Sequence, residues 1–174
     1  MQNGSVNLSN GEEYYFVEQN TDCQGKEPSV LFVHGNTAGA LAWRDTMNHI
    51  KDFKRHQIAV DLRGMGKSSY KNPTTRYGHW AEDLKDLCKK KGIEKCAVVG
   101  WSLGGGIAMK LAEIAPELVV KVILVASVPH NSVELMNGEK KCFTAAEIKE
   151  IPEIAHMNGL IETKNWQAIG KMFS

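Results

Sequence analysis

At 174 residues, the chain is long enough to form one domain with a substantial core. Hydrophobic residues make up 43% of it and charged residues 24%, which is typical of a soluble globular protein. The formal net charge of +1 gives no electrostatic reason to expect nucleic acid or an acidic membrane surface as a partner. No apolar run approaches the roughly 20 residues that span a bilayer, so a membrane protein is not expected either.

The cysteines indicate free thiols and not disulfides or metal ligands. They show neither a CxxC pair nor metal-ligand spacing. Two of them fall at predicted core positions, so we expect inert thiols in a reducing compartment. The N-terminus shows no signal peptide, and we therefore expect a cytoplasmic protein. The sequence also implies no metal or organic cofactor. The four are Cys23, Cys88, Cys96 and Cys142.

The first half of the chain contains three predicted strands and one predicted helix. Apolar runs predict strands at 14–17, 29–33 and 57–60. Between the second and third of these strands, the pattern predicts a helix from about Ala40 to Phe53.

Strands and helices continue to alternate in the second half. Helical spacing of apolar residues predicts a helix over 80–91, and Gly92 ends it. A strand follows at 95–99, then a helix over 104–115 and a strand at 122–126. These strands are continuous apolar runs and not alternating ones, which predicts an α/β fold with a mostly parallel sheet and helices on both faces.

The character of the sequence changes after Pro129. Residues 130–174 are polar and helix-prone, and they contain no further apolar strand. We therefore divide the chain into a core at 1–129 and a second region at 130–174.

The segment Gly100-Trp101-Ser102-Leu103-Gly104 lies between a predicted buried strand and a predicted helix. A Gly-x-Ser-x-Gly turn in that context is the local geometry of a serine nucleophile on an elbow. The two glycines permit a strained backbone and tight packing against the neighbouring strands. The competing interpretation is a purely structural glycine-rich turn.

The loop His34-Gly35-Asn36 follows the strand at 29–33. Stabilising an oxyanion takes two backbone N–H groups that converge beside the serine. We expect one from Leu103, the residue after the nucleophile, and the other from Asn36. Gly35 permits close approach of the backbone, and His34 is expected to hold the loop and not to act as a general base.

Three motifs together resemble the landmarks of the α/β-hydrolase superfamily: 33–36, 61–68 (Asp-Leu-Arg-Gly-Met-Gly-Lys-Ser) and 100–105. Their order and spacing are similar to its esterase-like, lipase-like and haloperoxidase-like members, over roughly residues 12–128. The resemblance implies an eight-stranded, mostly parallel sheet with a cap inserted after the sixth strand. It covers an N-terminal portion of that fold, and residues 130–174 look like the start of the cap.

The resemblance also implies the chemistry. Relatives that open epoxides or remove halides carry aspartate at the nucleophile position, whereas this chain has Ser102. A serine forms an acyl ester, so an ester-type small-molecule substrate is expected. The family's acid and histidine follow a seventh and an eighth strand, which this sequence lacks. The expected function is thus a serine hydrolase with two triad members missing from the chain; the alternative is a non-catalytic binding protein or an inactive truncated product.

Several other residues have two interpretations. Gly66-Lys67-Ser68 resembles the end of a phosphate-binding loop, but Asp61 stands where that motif requires glycine. Asp61 and Arg63 are expected to hold the loop beneath the active site instead. Trp101 and Trp43 either line an acyl pocket or fill core beside the elbow. His130 follows the last predicted strand, and a catalytic role for it is less favoured than a non-catalytic one.

The strand at 122–126 would form an exposed apolar edge, because its family neighbour is missing. We expect that edge to be covered by residues 130–174, by a second copy of the chain or by a separately encoded C-terminal half.

Overall fold

The computed structural model describes residues 1–74 and 76–128, together with the backbone of residues 133–134 and 140–141. The chain divides into two units, Met1–His130 and Asn131–Ser174. In the second unit, β7 (Val133–Glu134) pairs antiparallel with β8 (Lys140–Lys141). The predicted cap and His130 otherwise lie outside the described residues, and the predicted division after residue 129 stays a prediction.

The first unit contains a six-stranded sheet in the order β1-β2-β4-β3-β5-β6. The neighbouring strands β4, β3, β5 and β6 are parallel, while β2 pairs antiparallel with both β1 and β4. The predicted, mostly parallel sheet is therefore confirmed. The strands are β1 (Gln2–Asn7), β2 (Glu13–Gln19), β3 (Ser29–Val33), β4 (Gln57–Val60), β5 (Cys96–Trp101) and β6 (Val119–Val125).

Helices cover both faces of this sheet, as predicted. On one face, α2 (Tyr77–Lys90) and α3 (Leu103–Ile114) pack against a cluster that contains Leu31 and Val33. On the other face, a cluster around Trp43 and Met47 contains Val30 and Phe32. The strand β3 is a continuous apolar run because its alternate side chains enter different cores. The helices are α1 (Arg44–His49), α2 (Tyr77–Lys90) and α3 (Leu103–Ile114), with 3₁₀ turns at Thr21–Cys23 and Ala40–Trp43. Among the helices that the structure describes, none is long and apolar enough to cross a membrane.

In the first unit the sequence prediction missed one strand and misassigned one helix, and the bounds of β2, β5, β6, α2 and α3 differ by up to three residues. It missed β1, because that strand pairs only with β2 and exposes most of its polar side chains. It also predicted one helix over 40–53, where the structure has a 3₁₀ turn at Ala40–Trp43 and then the short helix α1. Apolar spacing placed Trp43 and Met47 correctly on the buried face, but it cannot distinguish a 3₁₀ turn from an α-helix.

Candidate active site

Ser102 lies on the turn between β5 and α3, in a backbone conformation that non-glycine residues rarely adopt. Its φ is 52° and its ψ is −118°. Such a conformation costs on the order of 1–3 kcal/mol and persists only where the surroundings hold it. Here the Ser102 N–H donates to Val125 O (3.0 Å), and Ser102 O accepts from the N–H groups of Gly105 (2.9 Å) and Val128 (3.2 Å).

The glycines on either side of Ser102 allow close backbone contact. A Cβ at Gly100 would lie 2.7 Å from Gly104 C. A Cβ at Gly104 would lie 2.6 Å from His34 O and closer still to Val33 O. Real Cβ atoms essentially never approach other heavy atoms this closely, so both positions require glycine if α3 is to begin this near to β3.

The loop after β3 lies directly against the serine. A Cβ at Gly35 would be 3.2 Å from Ser102 Cβ and 3.3 Å from Trp101 Cε3. Asn36 is exposed beside this contact, and Leu103 begins α3, where backbone N–H groups have no partner within the helix. The structure thus brings together the segments that carry both predicted oxyanion donors, and the roles of Asn36 and Leu103 stay predictions.

His34 is buried, and both of its ring nitrogens are engaged. Nε2 accepts from the Leu62 N–H (3.0 Å), so Nδ1 carries the proton and donates to Gly35 O (2.7 Å). Burial lowers the pKa of His34, outweighing the Gly35 hydrogen bond and the charge of Asp61, which raise it. A neutral imidazole with both nitrogens occupied holds the loop and has no free position to accept a proton from Ser102.

Asp61 joins the loop after β3 to the loop after β4. Oδ1 accepts from the Ala40 N–H (2.6 Å), and Oδ2 accepts from the Lys67 N–H (2.7 Å). Arg63 instead contacts α2, since its guanidinium donates to the carboxylate of Asp83 and to Asn72 O. The two residues therefore hold different parts of this region.

A buried carboxylate that the sequence analysis missed, Glu12, fixes the far end of the loop after β4. It accepts hydrogen bonds from Ser69 Oγ, from the Lys71 N–H (3.0 Å) and from the Asn72 N–H (2.6 Å). Burial raises the pKa of Glu12, but these hydrogen bonds outweigh it and lower the pKa to about 2. A single glutamate in a polar stretch gives no sequence signal for such a role.

The two tryptophans occupy different environments. Trp43 is 7% exposed and packs on Phe32, with ring centroids 5.1 Å apart. Trp101 is 37% exposed and contacts Gly35 next to Ser102. Trp43 therefore fills core, and only Trp101 presents a surface beside the serine.

Within residues 1–74 and 76–128, Ser102 Oγ forms no hydrogen bond. Among the same residues, no group of three or more His, Cys, Asp or Glu side chains could hold a metal ion.

Several known proteins are similar to this chain in sequence. A family model described as the alpha/beta hydrolase fold matches residues 28–141. The pimeloyl-[acyl-carrier protein] methyl ester esterase of Vibrio campbellii is 34% identical over 113 residues, which are 63% of this chain and 41% of that protein. Epoxide hydrolase 4 of Mus musculus is 33% identical over 109 residues, which are 62% of this chain and 30% of that protein.

The structural comparison agrees with the sequence comparison. A thermophilic esterase from Thermogutta terrifontis superposes with a TM-score of 0.62 at 26% identity, covering 74% of this chain and 46% of that one. The chain therefore spans less than half the length of each of these relatives. Because the family model covers well over half of the chain, including the turn at Ser102 and the loop at His34, this protein belongs to the α/β-hydrolase family.

Proposed function

We propose that the protein is a serine hydrolase of ester-type acyl substrates, with Ser102 as the nucleophile. The observation that carries this proposal is the backbone of Ser102, which has a positive φ on a strand-to-helix turn between two glycines that no larger residue can replace. Strain of this kind at a side chain with a reactive hydroxyl is typical of catalytic turns.

The proposed reaction has two steps. Ser102 Oγ attacks the carbonyl carbon and loses its proton to a general base, and the alcohol leaves with a proton as the acyl-serine forms. Water then attacks the acyl-serine, which releases the carboxylic acid and restores the hydroxyl. The N–H groups of Asn36 and Leu103 stabilise the oxyanion in both steps, and Trp101 forms one wall of the acyl site.

The substrate class follows from the nucleophile and from the relatives. The Vibrio campbellii relative is a methyl ester esterase and the Mus musculus relative an epoxide hydrolase, so the comparisons alone support hydrolase chemistry in general. A serine at position 102 favours the ester, because its acyl intermediate is hydrolysed readily.

The general base and its acid partner are assigned to polypeptide outside the described residues. Ser102 Oγ has no hydrogen-bond partner within those residues, and His34 uses both ring nitrogens in the loop. Without a base the serine keeps the weak nucleophilicity of an alcohol, and the oxyanion donors alone give a residual acceleration on the order of 10³-fold. We also propose a cytoplasmic location, which the free thiols of Cys23, Cys88 and Cys96 favour.

Labelling with a fluorophosphonate tests this function. The protein is purified from its source cells with whatever remains bound to it, its intact mass is measured, and it is labelled beside the variants Ser102→Ala and Ser5→Ala. Ser5 is an exposed serine on β1 and serves as the matched control. We expect stoichiometric labelling of the wild type and of Ser5→Ala, and none of Ser102→Ala. Slow labelling that Ser102→Ala does not reduce would favour a non-catalytic binding protein.

A further inference from the structure

The loop that carries Gly35 and Asn36 is held at both of its ends by the segment that follows β4. At the start, the Leu62 N–H donates to His34 Nε2 (3.0 Å). At the end, the Ala40 N–H donates to Asp61 Oδ1 (2.6 Å). Between these two points the loop makes one internal backbone hydrogen bond, from the Ala38 N–H to Gly35 O (3.4 Å). The position of residues 35–39 therefore depends on their two ends.

Asp61 is itself fixed on every side. Its N–H donates to Tyr15 O (2.8 Å), and its backbone carbonyl accepts from Ser68 Oγ (2.6 Å). Its second carboxylate oxygen accepts from the Lys67 N–H (2.7 Å), and the side chain is buried. Each carboxylate oxygen thus has one backbone donor: Oδ1 accepts from the loop after β3, and Oδ2 accepts from the loop after β4.

Both loops approach this carboxylate closely. A Cβ at Gly39 and a Cβ at Gly66 would each lie 2.8 Å from Asp61 Oδ1. Gly66 also has a φ of 60°, which favours glycine. The carboxylate is therefore held by one hydrogen bond from each loop and lies close to a glycine of each.

We propose that Asp61 is a positioning residue that fixes the Asn36 N–H beside Ser102 by holding the Ala40 end of this loop. The inference rests on the proposed function, because Asn36 matters only if an oxyanion forms there. A Cβ placed on Gly35 would lie 3.2 Å from Ser102 Cβ, so the loop is already close to the serine. A small displacement of the loop therefore changes the distance between the Asn36 N–H and the reacting atoms. Removing one oxyanion donor in such a site costs about 10²–10³ in rate.

The test compares Asp61→Asn with Glu12→Gln in the purified protein. The amide side chain of Asp61→Asn keeps the shape of the carboxylate, but its NH₂ group faces a backbone N–H where the carboxylate accepts a hydrogen bond. Glu12→Gln makes the same kind of change at the other end of the loop after β4, where Glu12 contacts Ser69, Lys71 and Asn72 and not the loop at Asn36. Both variants are expected to unfold at lower temperature.

The two variants should differ in labelling and in hydrogen exchange, measured well below their unfolding temperatures. In Asp61→Asn, we expect the maximal rate of fluorophosphonate labelling to fall at least tenfold, while the probe concentration that gives half of this rate is unchanged. Amide exchange should rise at least tenfold over residues 35–40. In Glu12→Gln, labelling should be unchanged and exchange should rise over residues 69–72 only.

The outcomes separate this inference from the proposed function. If the wild type is labelled at Ser102 and Asp61→Asn is labelled equally fast, the inference is overturned and the proposed function stands. If the wild type is not labelled, the proposed function fails, and exchange over residues 35–40 still decides whether Asp61 holds the loop. Equal amide exchange over residues 35–40 in Asp61→Asn and Glu12→Gln would overturn the inference that Asp61 holds this loop.

Discussion

Substituting alanine for Gly104 tests the close contact between the nucleophile turn and β3, and the chain offers a matched control. Gly104 and Gly78 are each the second residue of a helix, α3 and α2 respectively. A Cβ at Gly78 would have its nearest neighbour, Arg76 Nε, at 3.8 Å, which is ordinary van der Waals contact. Both substitutions therefore gain the same helix propensity, at most about 1 kcal/mol, and only one of them introduces a clash.

The cost at Gly104 follows from the distances. The new Cβ would lie 2.6 Å from His34 O and 2.7 Å from Val33 C, whereas ordinary contact begins at 3.4 Å. These are backbone atoms at the end of β3 and the start of the loop after it, so they cannot rotate away as the end of a side chain can. Overpacking of this kind costs about 1–3 kcal/mol. We expect Gly104→Ala to lower the free energy of unfolding by that amount and Gly78→Ala to raise it by up to about 1 kcal/mol.

The assay is urea and thermal unfolding of the two variants beside the wild type. For a chain of this length, 1 kcal/mol corresponds to a shift in Tm of about 2–4 °C, so the two variants should differ in Tm by several degrees. Fluorophosphonate labelling should be slowed in Gly104→Ala alone, because the displaced atoms belong to the loop beside Ser102. Equal stability of the two variants would refute the close contact between α3 and the end of β3.

Two further predictions concern acid stability and association. The pKa values of Glu12 and Glu18 are about 2, below the ordinary 4.5, because hydrogen bonds to each carboxylate outweigh its burial. The stability that these carboxylates contribute is therefore fully present above pH 4.5 and is lost as the pH falls towards 2. Urea unfolding should show a smaller loss of unfolding free energy between pH 4.5 and pH 2 in Glu18→Gln than in the wild type. Ile123 is 45% exposed on β6, at the edge of the described sheet. We propose that this edge mediates self-association, so Ile123→Lys should sediment as a smaller species than the wild type and than the control Lys121→Ala; a wild type that is already monomeric at high concentration contradicts this.

The parts of the fold that the sequence predicted best are the strands buried on both faces. The predicted bounds of β3 and β4 equal the observed ones, because every residue of both strands is buried and each apolar run ends at a polar residue, His34 after β3 and Asp61 after β4. The strand β1 has no such run. It pairs with one neighbour only, and its stability depends on backbone hydrogen bonds to β2, which leave no pattern in its side chains.

The single helix predicted over 40–53 was wrong, because apolar spacing does not distinguish a 3₁₀ turn from an α-helix. Its apolar residues recur at helical spacing, and Trp43 and Met47 are indeed buried. However, Ala40–Trp43 form a 3₁₀ turn before α1 begins, and the Ala40 N–H donates to Asp61 from another part of the chain. Spacing within a segment carries no information about a hydrogen-bond partner 21 residues away.

The same distinction divides the candidate site. The turn at Ser102 could be predicted because its requirements are local: a strand, a serine in a strained conformation, and glycines two residues before and after it where a Cβ would meet backbone atoms. The loop at Asn36 was expected beside Ser102, but the hydrogen bonds that hold it could not be predicted. They join Leu62 to His34 and Ala40 to Asp61, which are 28 and 21 residues apart in the chain. In this chain the motif at 61–68 bonds to both ends of the loop that begins at 33–36, and that loop lies against the motif at 100–105. A substitution at Asp61 should therefore act on the nucleophile's surroundings without touching Ser102, which a local interpretation of each motif would not predict.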